Sequence, residues 1–204
     1  NTKMKKIIIT VIVLLALIGG WKIYTTKAPD SASQAVVGDS VTDTTVSATG
    51  TPVSIDGNMS NFSFTGYGPG KEESGTFKSA SHTLFRDGNK LHGSVSFDTA
   101  SISVVKDDAE KKASLEKHLC SDDFIDCAKY PTTTFTLTSL EIKNGTSTAF
   151  GVLSFRGVEK ELSFPVTIQD DFYSAEIRLD ITPFGFKYTG IKNEILLTFL
   201  LKIS

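Results

Sequence analysis

Two stretches decide the fold of this chain: KHLCSDDFIDCAKYP at residues 117–131, and GVLSFRGVEKELSFPV at residues 151–166. Both lie within a long region in which apolar and polar residues alternate, as the second stretch shows at Leu162, Phe164 and Val166. Alternation with a period of two is typical of strands that bury one face of a sheet and expose the other face to solvent. The two stretches therefore predict a sheet protein with an apolar interior, interrupted once before residue 131.

The alternating pattern runs from Thr51 to the last residues of the chain. It includes Phe62 and Phe64, Val95 and Phe97, Phe135 and Leu137, Leu162 to Ile168, Ile177 and Leu179, and Ile195 to Leu201. Turn-forming sequences separate these runs: Gly66 to Gly70, Asp87-Gly88-Asn89, Asn144-Gly145 and Gly190. About eight strands in this length indicate an all-β antiparallel sandwich or a closed up-and-down barrel, and closure is the arrangement that removes exposed edges.

The first fifty residues differ from the rest. Lys3, Lys5 and Lys6 precede an apolar run at residues 7–18 and then Trp21, which predicts a membrane segment over residues 1–26 that is either an uncleaved anchor or a cleaved signal. Residues 27–50 are rich in Ser, Thr, Asp, Ala and Gly, so we expect a flexible linker there. The domain prediction is thus a membrane segment over 1–26, a linker over 27–50 and a barrel over 51–204, placed outside the cytoplasm.

One helix is expected between the strands. Asp107 can cap its start, with Glu110 three residues later forming a capping box, and Pro131 ends the excursion. Such an insertion would lie across one opening of a barrel. Its apolar side chains either close that opening or pack beneath a long loop, and the candidates are Leu115, Leu119, Phe124 and Tyr130.

Cys120 and Cys127 are the two cysteines of the chain. In an exported protein they are expected to pair, but on a straight helix their Cα atoms would be ~10 Å apart, so a disulfide requires the chain to turn near Ser121 to Asp123. The alternatives are a metal site that combines them with His118 and a nearby Asp, or a redox-active thiol pair.

Charge and motifs favour binding over catalysis. The formal net charge of −2 gives no general attraction to nucleic acid. No nucleophile elbow, zinc-protease helix or phosphate loop is present in the sequence, and the three histidines are far apart. We therefore predict no catalytic residues, metal or cofactor. Arg156 either pairs with an acidic neighbour or meets a ligand headgroup at the rim.

The string HLCSDDFIDCAKYPTTTF resembles the motif of the YceI-like family, in which His-Leu, Ser-Asp-Phe-Phe-Asp and Tyr-Pro-x-x-x-Phe follow one another. GVLSFRGVEKELSFPV resembles the family's Gly-x-Leu-Thr-x-Arg-Gly-Val strand pair, and Gly75-Thr76-Phe77 resembles its Gly-x-Phe. The resemblance covers roughly residues 51–204. It implies an exported, lipocalin-like antiparallel barrel that binds a polyisoprenoid or another long-chain lipid.

The chain departs from the family pattern at polar positions. Ile181, Thr182 and Pro183 stand where the family usually has Arg-Ser-Asp, Cys120 stands in place of an Arg after His-Leu, and Gly66-Tyr67 lies in the region of a missing His. These departures affect contacts to a ligand headgroup. The apolar interior is left untouched.

The inward face of the strands supplies the candidate ligand-binding wall. It is rich in the chain's 14 phenylalanines, which carry no hydrogen-bonding groups and suit an alkyl or isoprenoid chain. The predicted wall residues are Phe62, Phe64, Phe77, Val95, Phe97, Phe135, Leu137, Leu153, Phe155, Phe164, Val166, Ile177, Leu179, Phe184, Leu197 and Phe199.

These residues lead to one functional expectation and one alternative. The expectation is a barrel that sequesters or carries a long-chain amphiphile without changing it chemically. An eight-stranded barrel is close to the size at which side chains fill the lumen, so the alternative is a ligand-free structural or stress-related interaction module with a solid core.

Overall fold

The fold is an antiparallel barrel, as the alternating pattern predicts. A computed structural model describes residues 27–41, 48–68, 71–143, 146–186 and 193–204. Eight long strands form the wall: β4 (Asn61–Gly68), β5 (Lys71–Asp87), β6 (Lys90–Val104), β7 (Thr132–Lys143), β8 (Thr146–Phe155), β9 (Val158–Gln169), β10 (Phe172–Asp180) and β11 (Glu194–Lys202). Three short strands precede them: β1 (Ser33–Gln34), β2 (Val36–Ser40) and β3 (Thr51–Val53).

The eight long strands close on themselves in chain order. Each pairs antiparallel with the next, and β11 pairs back onto β4 from Ile195 opposite Gly66 to Leu200 opposite Asn61. Closure leaves no long strand with an unpaired edge. The structure thus confirms a closed up-and-down barrel of eight strands.

One seam of the barrel is filled by the amino-terminal segment. Strands β9 and β10 pair at only three positions, next to the turn that joins them. Beyond these positions, β1 pairs parallel with β10 and β2 pairs antiparallel with β9. We call residues 28–40 the strap, because they complete the wall between these two strands.

Within the predicted flexible linker of residues 27–50, the strap is ordered against the barrel, whereas residues 42–47 lie outside the described part of the chain. Ala28, Ala32 and Ala35 are all buried, and the Ala35 amide donates a hydrogen bond to the Arg178 carbonyl. Small side chains allow the segment to lie close against the barrel. The predicted membrane segment over 1–26 falls outside the described residues, and among the described residues no helix is long and apolar enough to cross a bilayer.

Helix α1 (Ala109–Leu119) is the single α-helix of the described residues and follows β6. Its cap is Asp108, whose carboxylate accepts a hydrogen bond from the Lys111 amide. The prediction of Asp107 was therefore wrong by one residue, and no capping box forms, because the third residue after the cap is a lysine. Both aspartates can cap a helix, and residue type alone does not distinguish between them.

The chain turns sharply after α1 and the two cysteines form a disulfide. Their Cα atoms are 4.9 Å apart. Backbone hydrogen bonds from Asp126 to Ser121 and from Cys127 to Cys120 make the turn that the bridge requires. The cross-link fixes the excursion at the end of the barrel where α1 lies.

Candidate functional site

The barrel encloses one large cavity, of about 560 Å³. This volume lies within the ~300–1,000 Å³ range of small-molecule sites. The side chains that surround it are mainly Phe, Leu, Ile and Val from all eight long strands. The interior is therefore hollow, and the solid core that the sequence left open is not what this structure has.

The structure brings almost all of the predicted wall residues together around this cavity. Those that line it are Phe62, Phe64, Phe77, Val95, Phe97, Phe135, Leu137, Leu153, Phe155, Phe164, Val166, Ile177, Leu179, Leu197 and Phe199. Their rings contact one another along the wall, for example Phe135 with Phe164 at 5.4 Å between centroids and Phe164 with Phe199 at 5.8 Å. Ring-to-ring packing along the wall, rather than across the lumen, keeps the centre open.

Phe184 is the predicted wall residue that does not line the cavity. It lies in a short 3₁₀ turn (Thr182–Phe184) after β10 and is almost completely buried. Its ring packs behind Phe155, with the two centroids 5.9 Å apart. The alternation of the preceding strand does not continue through this turn, so Phe184 supports the wall from outside the lumen.

The excursion between β6 and β7 covers part of one end of the cavity. Leu115, Leu119 and Phe124 line the lumen there, as the lid hypothesis requires. Tyr130 does not line the cavity, which corrects its prediction as a lid residue. Gly157 provides the space for its ring, since a Cβ at that glycine would lie 2.7 Å from the ring.

Arg156 holds the excursion in place. Its guanidinium donates a hydrogen bond to the Asp122 carbonyl at 2.6 Å and lies over the Phe186 ring, 5.4 Å from the centroid. Phe186 in turn packs against Phe124 at 5.1 Å. The contacts of this arginine are with a backbone carbonyl and an aromatic ring rather than with the acidic side chain that was one of its two predicted partners.

Among the residues that the structure describes, the charged side chains that line the cavity lie at this same end, which we call the mouth. Lys71 and Glu73 point inward from the start of β5, and His118 reaches the cavity from α1. Glu73 forms an ion pair with Lys106 at 2.5 Å, whereas Lys71 is 3.9 Å from the same carboxylate and mostly exposed. The mouth therefore combines water access with polar groups.

The opposite end, which we call the floor, is apolar and closed. Its lining side chains are Leu84, Leu91, Tyr173, Leu201 and Ile203. All except Leu201 are buried. Behind them, Arg86 donates a hydrogen bond to the Tyr173 hydroxyl at 3.3 Å. The cavity thus has one polar, accessible end and one apolar, sealed end.

The predicted wall did not include the floor residues, Ala149 or Leu162. Leu162, Leu201 and Ile203 continue the alternating runs and could have been added from that pattern. Leu84 and Leu91 lie close to the turn between β5 and β6, where alternation over so few residues gives little signal.

The fold and the cavity define a closed antiparallel barrel with an apolar lumen and charged lining residues at one end. A family model described as the YceI-like domain matches residues 43–203, so the chain belongs to the YceI-like family. A protein of Pseudomonas putida strain F1 named UPF0312 is 30% identical over 135 residues, which cover 60% of this chain and 68% of that protein. Protein YceI of Escherichia coli O157:H7 is 34% identical over 121 residues, covering 59% and 57% of the two chains.

Among solved structures, the crystal structure of Burkholderia cenocepacia BcnA is similar to this barrel. The TM-score is 0.57 at 17% sequence identity, and the match covers 74% of this chain and 99% of the other. At this identity the likeness concerns the fold. The strap lies before residue 43 and is therefore outside the part of the chain that matches the family model.

Proposed function

We propose that this protein binds one long-chain amphiphile, a polyisoprenoid or a similar lipid, inside the barrel and releases it chemically unchanged. The observation that carries the proposal is the 560 Å³ apolar cavity with its charged side chains confined to the mouth. This distribution of apolar and charged side chains matches a molecule with an apolar tail and a polar head. The tail would lie among the phenylalanines, with the head at the mouth near Lys71 and His118.

Burial of the tail supplies the driving force. Each buried methylene contributes about 0.8 kcal/mol. Micromolar binding requires about 8 kcal/mol net and immobilising the ligand costs at least about 4 kcal/mol, so a tail of about fifteen or more carbons supplies enough gross energy. The described side chains that line the lumen are mainly aromatic and aliphatic, with a few hydroxyl groups such as those of Thr99 and Thr133. Sequestration or transport therefore suits the lumen better than chemistry.

The proposed location is outside the cytoplasm. Two features support it: the apolar segment at residues 7–18 behind three lysines, and the Cys120–Cys127 disulfide. Structural disulfides persist mainly in oxidising compartments such as the periplasm and the cell surface. In such a compartment the protein would hold a hydrophobic molecule that is poorly soluble in water.

The test is lipid binding by the full chain, measured by native mass spectrometry and by titration with geranylgeraniol. Ala149 lines the cavity from β8, and Thr148 is its neighbour on the outer face of the same strand. We expect Ala149→Phe, which fills the lumen, to weaken binding at least tenfold, and Thr148→Phe to leave it unchanged. Overpacking at Ala149 also costs roughly 1–3 kcal/mol, so the melting temperatures of both variants are measured first.

Two outcomes would contradict the proposal. One is a native protein that neither copurifies with a lipid nor binds geranylgeraniol or a fatty acid. The other is an Ala149→Phe variant that remains folded and binds as well as Thr148→Phe. Either result would favour the alternative of a structural or interaction module.

A further inference from the structure

We propose that strand β2 of the strap is a side gate of the barrel: its release from β9 opens the wall beside the mouth and lets the ligand's tail pass between lumen and surroundings. The inference rests on the proposed function, and it concerns the route into the cavity rather than the ligand. It follows from the loose attachment of β2, from its position between two cavity-lining strands and from the firm attachment of the other cover of the mouth.

Strand β2 is held to β9 by few backbone contacts. Val36 and Val37 form two regular pairs with β9, after which the register is irregular up to Ser40. The backbone hydrogen bond that follows, from the Val41 amide to β9, is 3.4 Å long, which is beyond the usual range. By contrast, β8 pairs with β9 without interruption from residue 147 to residue 155. Strand β9 is thus paired firmly with β8 and loosely with β2.

The side chains of β2 add little to this attachment. Val37 is half-buried, and the other residues of the strand are exposed. Gly38 lies in the middle of the strand, where glycine costs more backbone entropy on ordering and offers no side chain to pack. Segments with few buried apolar contacts are the ones that open most easily. Ala35, just before β2, is buried in the main apolar cluster and gives the strap a fixed point.

Release of β2 would open the cavity directly. Leu162 on β9 and Leu179 on β10 line the lumen on the two sides of the strap. Among the described residues, β9 and β10 pair with each other only next to their turn, at the floor end. Neighbouring strands lie ~4.8 Å apart, so the place of one strand leaves roughly 10 Å between its two neighbours. A hydrocarbon chain fits this gap, because its contact distance to the atoms on each side is ~4 Å.

The other cover of the mouth is more firmly held. The Cys120–Cys127 disulfide cross-links the excursion that contains α1, and Arg156 ties it to β8 through the hydrogen bond to the Asp122 carbonyl. Of the two elements, the strap is therefore the one that can move without breaking a covalent bond. Strand β2 also lies before the residues that match the family model, so the gate would be an addition to the common barrel.

The test uses two cross-linked variants of the full chain that share one cysteine. In Val36→Cys/Ser163→Cys the new disulfide ties β2 to β9, and in Phe150→Cys/Ser163→Cys it ties β9 to β8. Directly paired residues lie within the Cα separation that a disulfide needs, and peptide mapping confirms each bridge together with Cys120–Cys127. The release of cis-parinaric acid, a fatty acid that fluoresces in apolar sites, to excess cyclodextrin is then followed by stopped flow.

We expect the variant with the β2–β9 bridge to take up and release the probe at least about tenfold more slowly than the native chain, and the control to stay within about twofold. The dissociation constant should not change, because a gate alters the path between two states and leaves the states themselves as they are. Equal release rates in the two variants would overturn the gate while leaving the proposed function intact. A native chain that binds neither the probe nor geranylgeraniol would instead refute the proposed function.

A second pair of variants serves if the β2–β9 bridge does not form. Val37→Ala shortens the half-buried side chain of β2, and Val36→Ala removes the same atoms from its exposed face. Neither valine is among the cavity-lining residues, so the contacts of the ligand are retained. We expect probe release to become at least about threefold faster in Val37→Ala and to stay unchanged in Val36→Ala. Equal rates in these two variants would likewise overturn the gate.

Discussion

At the scale of single residues, the lumen depends on where glycine faces an aromatic ring. Gly75 lies opposite Phe64 in the β4–β5 ladder, and a Cβ at this glycine would come within 2.7 Å of the ring. Gly151 on β8 likewise lacks the Cβ atom that would clash with the ring of Phe135. These close approaches let the rings lie along the wall, which explains physically why a Gly-x-Phe pattern at residues 75–77 accompanies a hollow barrel.

The inward positions could be predicted residue by residue because the period of a strand is two. Once Phe62 or Phe135 is assigned to the inside, the side of every second neighbour follows. The prediction failed at Phe184, which stands in a turn where that rule does not hold. It also missed Ala149, because a small side chain lining a cavity has no distinctive sequence signal.

Tyr67 gives a prediction that titration can check. Its side chain is buried in a cluster with Ala28 and Ala32, and burial, together with the negative charge of Glu72, raises its pKa from 10.0 to about 12. In the unfolded chain the phenol loses its proton near pH 10, so only the unfolded state gains from ionisation between pH 10 and pH 12. We expect the free energy of unfolding to fall by about 2 kcal/mol across this interval because of this residue.

The measurement compares urea unfolding of the native chain and of Tyr67→Phe at about pH 9 and about pH 12, the two sides of the interval in which the linkage acts. The difference in stability between the two proteins should change by that amount from one pH to the other. A constant difference would show that the phenol titrates normally in the folded state.

At the scale of secondary structure elements, the strap differs most from its prediction. Residues 28–40 have the small, polar composition of a linker, yet they form β1 and β2 and bury three alanines. Their backbone groups bond to β9 and β10, whose own pairing is short, so the partner strands rather than the strap's side chains decide its structure. Local composition cannot show such a contact, because the decisive residues lie more than a hundred positions later.

Ala35 and Gln34 provide a matched test of the strap. Ala35 is buried within the main apolar cluster, whereas Gln34 beside it is exposed. Ala35→Glu places an unpaired charge in the wall, so we expect it to lower the free energy of unfolding by at least about 2 kcal/mol or to expel the strap. Gln34→Glu removes the exposed hydrogen bond that the Gln34 amide donates to the Arg178 carbonyl at 3.1 Å, so it should lower stability by no more than about 1 kcal/mol.

Both variants are compared by urea unfolding, and expulsion of the strap is followed by hydrogen exchange of the β9 and β10 amides. Equal stability and equal protection in the two variants would mean that the strap does not occupy the seam in solution.

At the scale of the whole molecule, the separation of polar mouth and apolar floor predicts how binding responds to salt. An uncharged alcohol contacts the wall through dispersion and the hydrophobic effect, which ionic strength in the ordinary range barely changes. Raising sodium chloride from about 0.05 M to about 0.5 M should therefore leave the affinity for geranylgeraniol within about twofold. Isothermal titration at the two concentrations checks this.

The same titration with geranylgeranyl phosphate serves as the comparison. A charged head at the mouth would lie near Lys71, and salt screens such exposed pairs. We expect its affinity to fall as salt rises. A strong salt dependence for the uncharged alcohol would place its binding outside the lumen.

The overall architecture was the most predictable level, because alternation, turn sequences and family-like motifs all indicate the same closed barrel. The course of the lid segment was partly predictable: Leu115, Leu119 and Phe124 reach the lumen, and Tyr130 does not. The existence of an open lumen was not predictable from the residues alone, because the same inward phenylalanines could have met at the centre. Whether they do depends on ring orientation, which the pattern of residue types does not encode.

The strap also determines from which side the chain leaves the barrel. Ala28 and Ala32 pack on Tyr67 and Leu196, which lie at the ends of β4 and β11 nearest the opening, so Lys27 departs on that same side. If residues 1–26 remain as a membrane anchor, which is one of the two alternatives that the sequence leaves open, the entrance of the barrel would face the lipid surface. A molecule leaving the leaflet would then have only a short passage to make, and the sealed end would face away from the membrane.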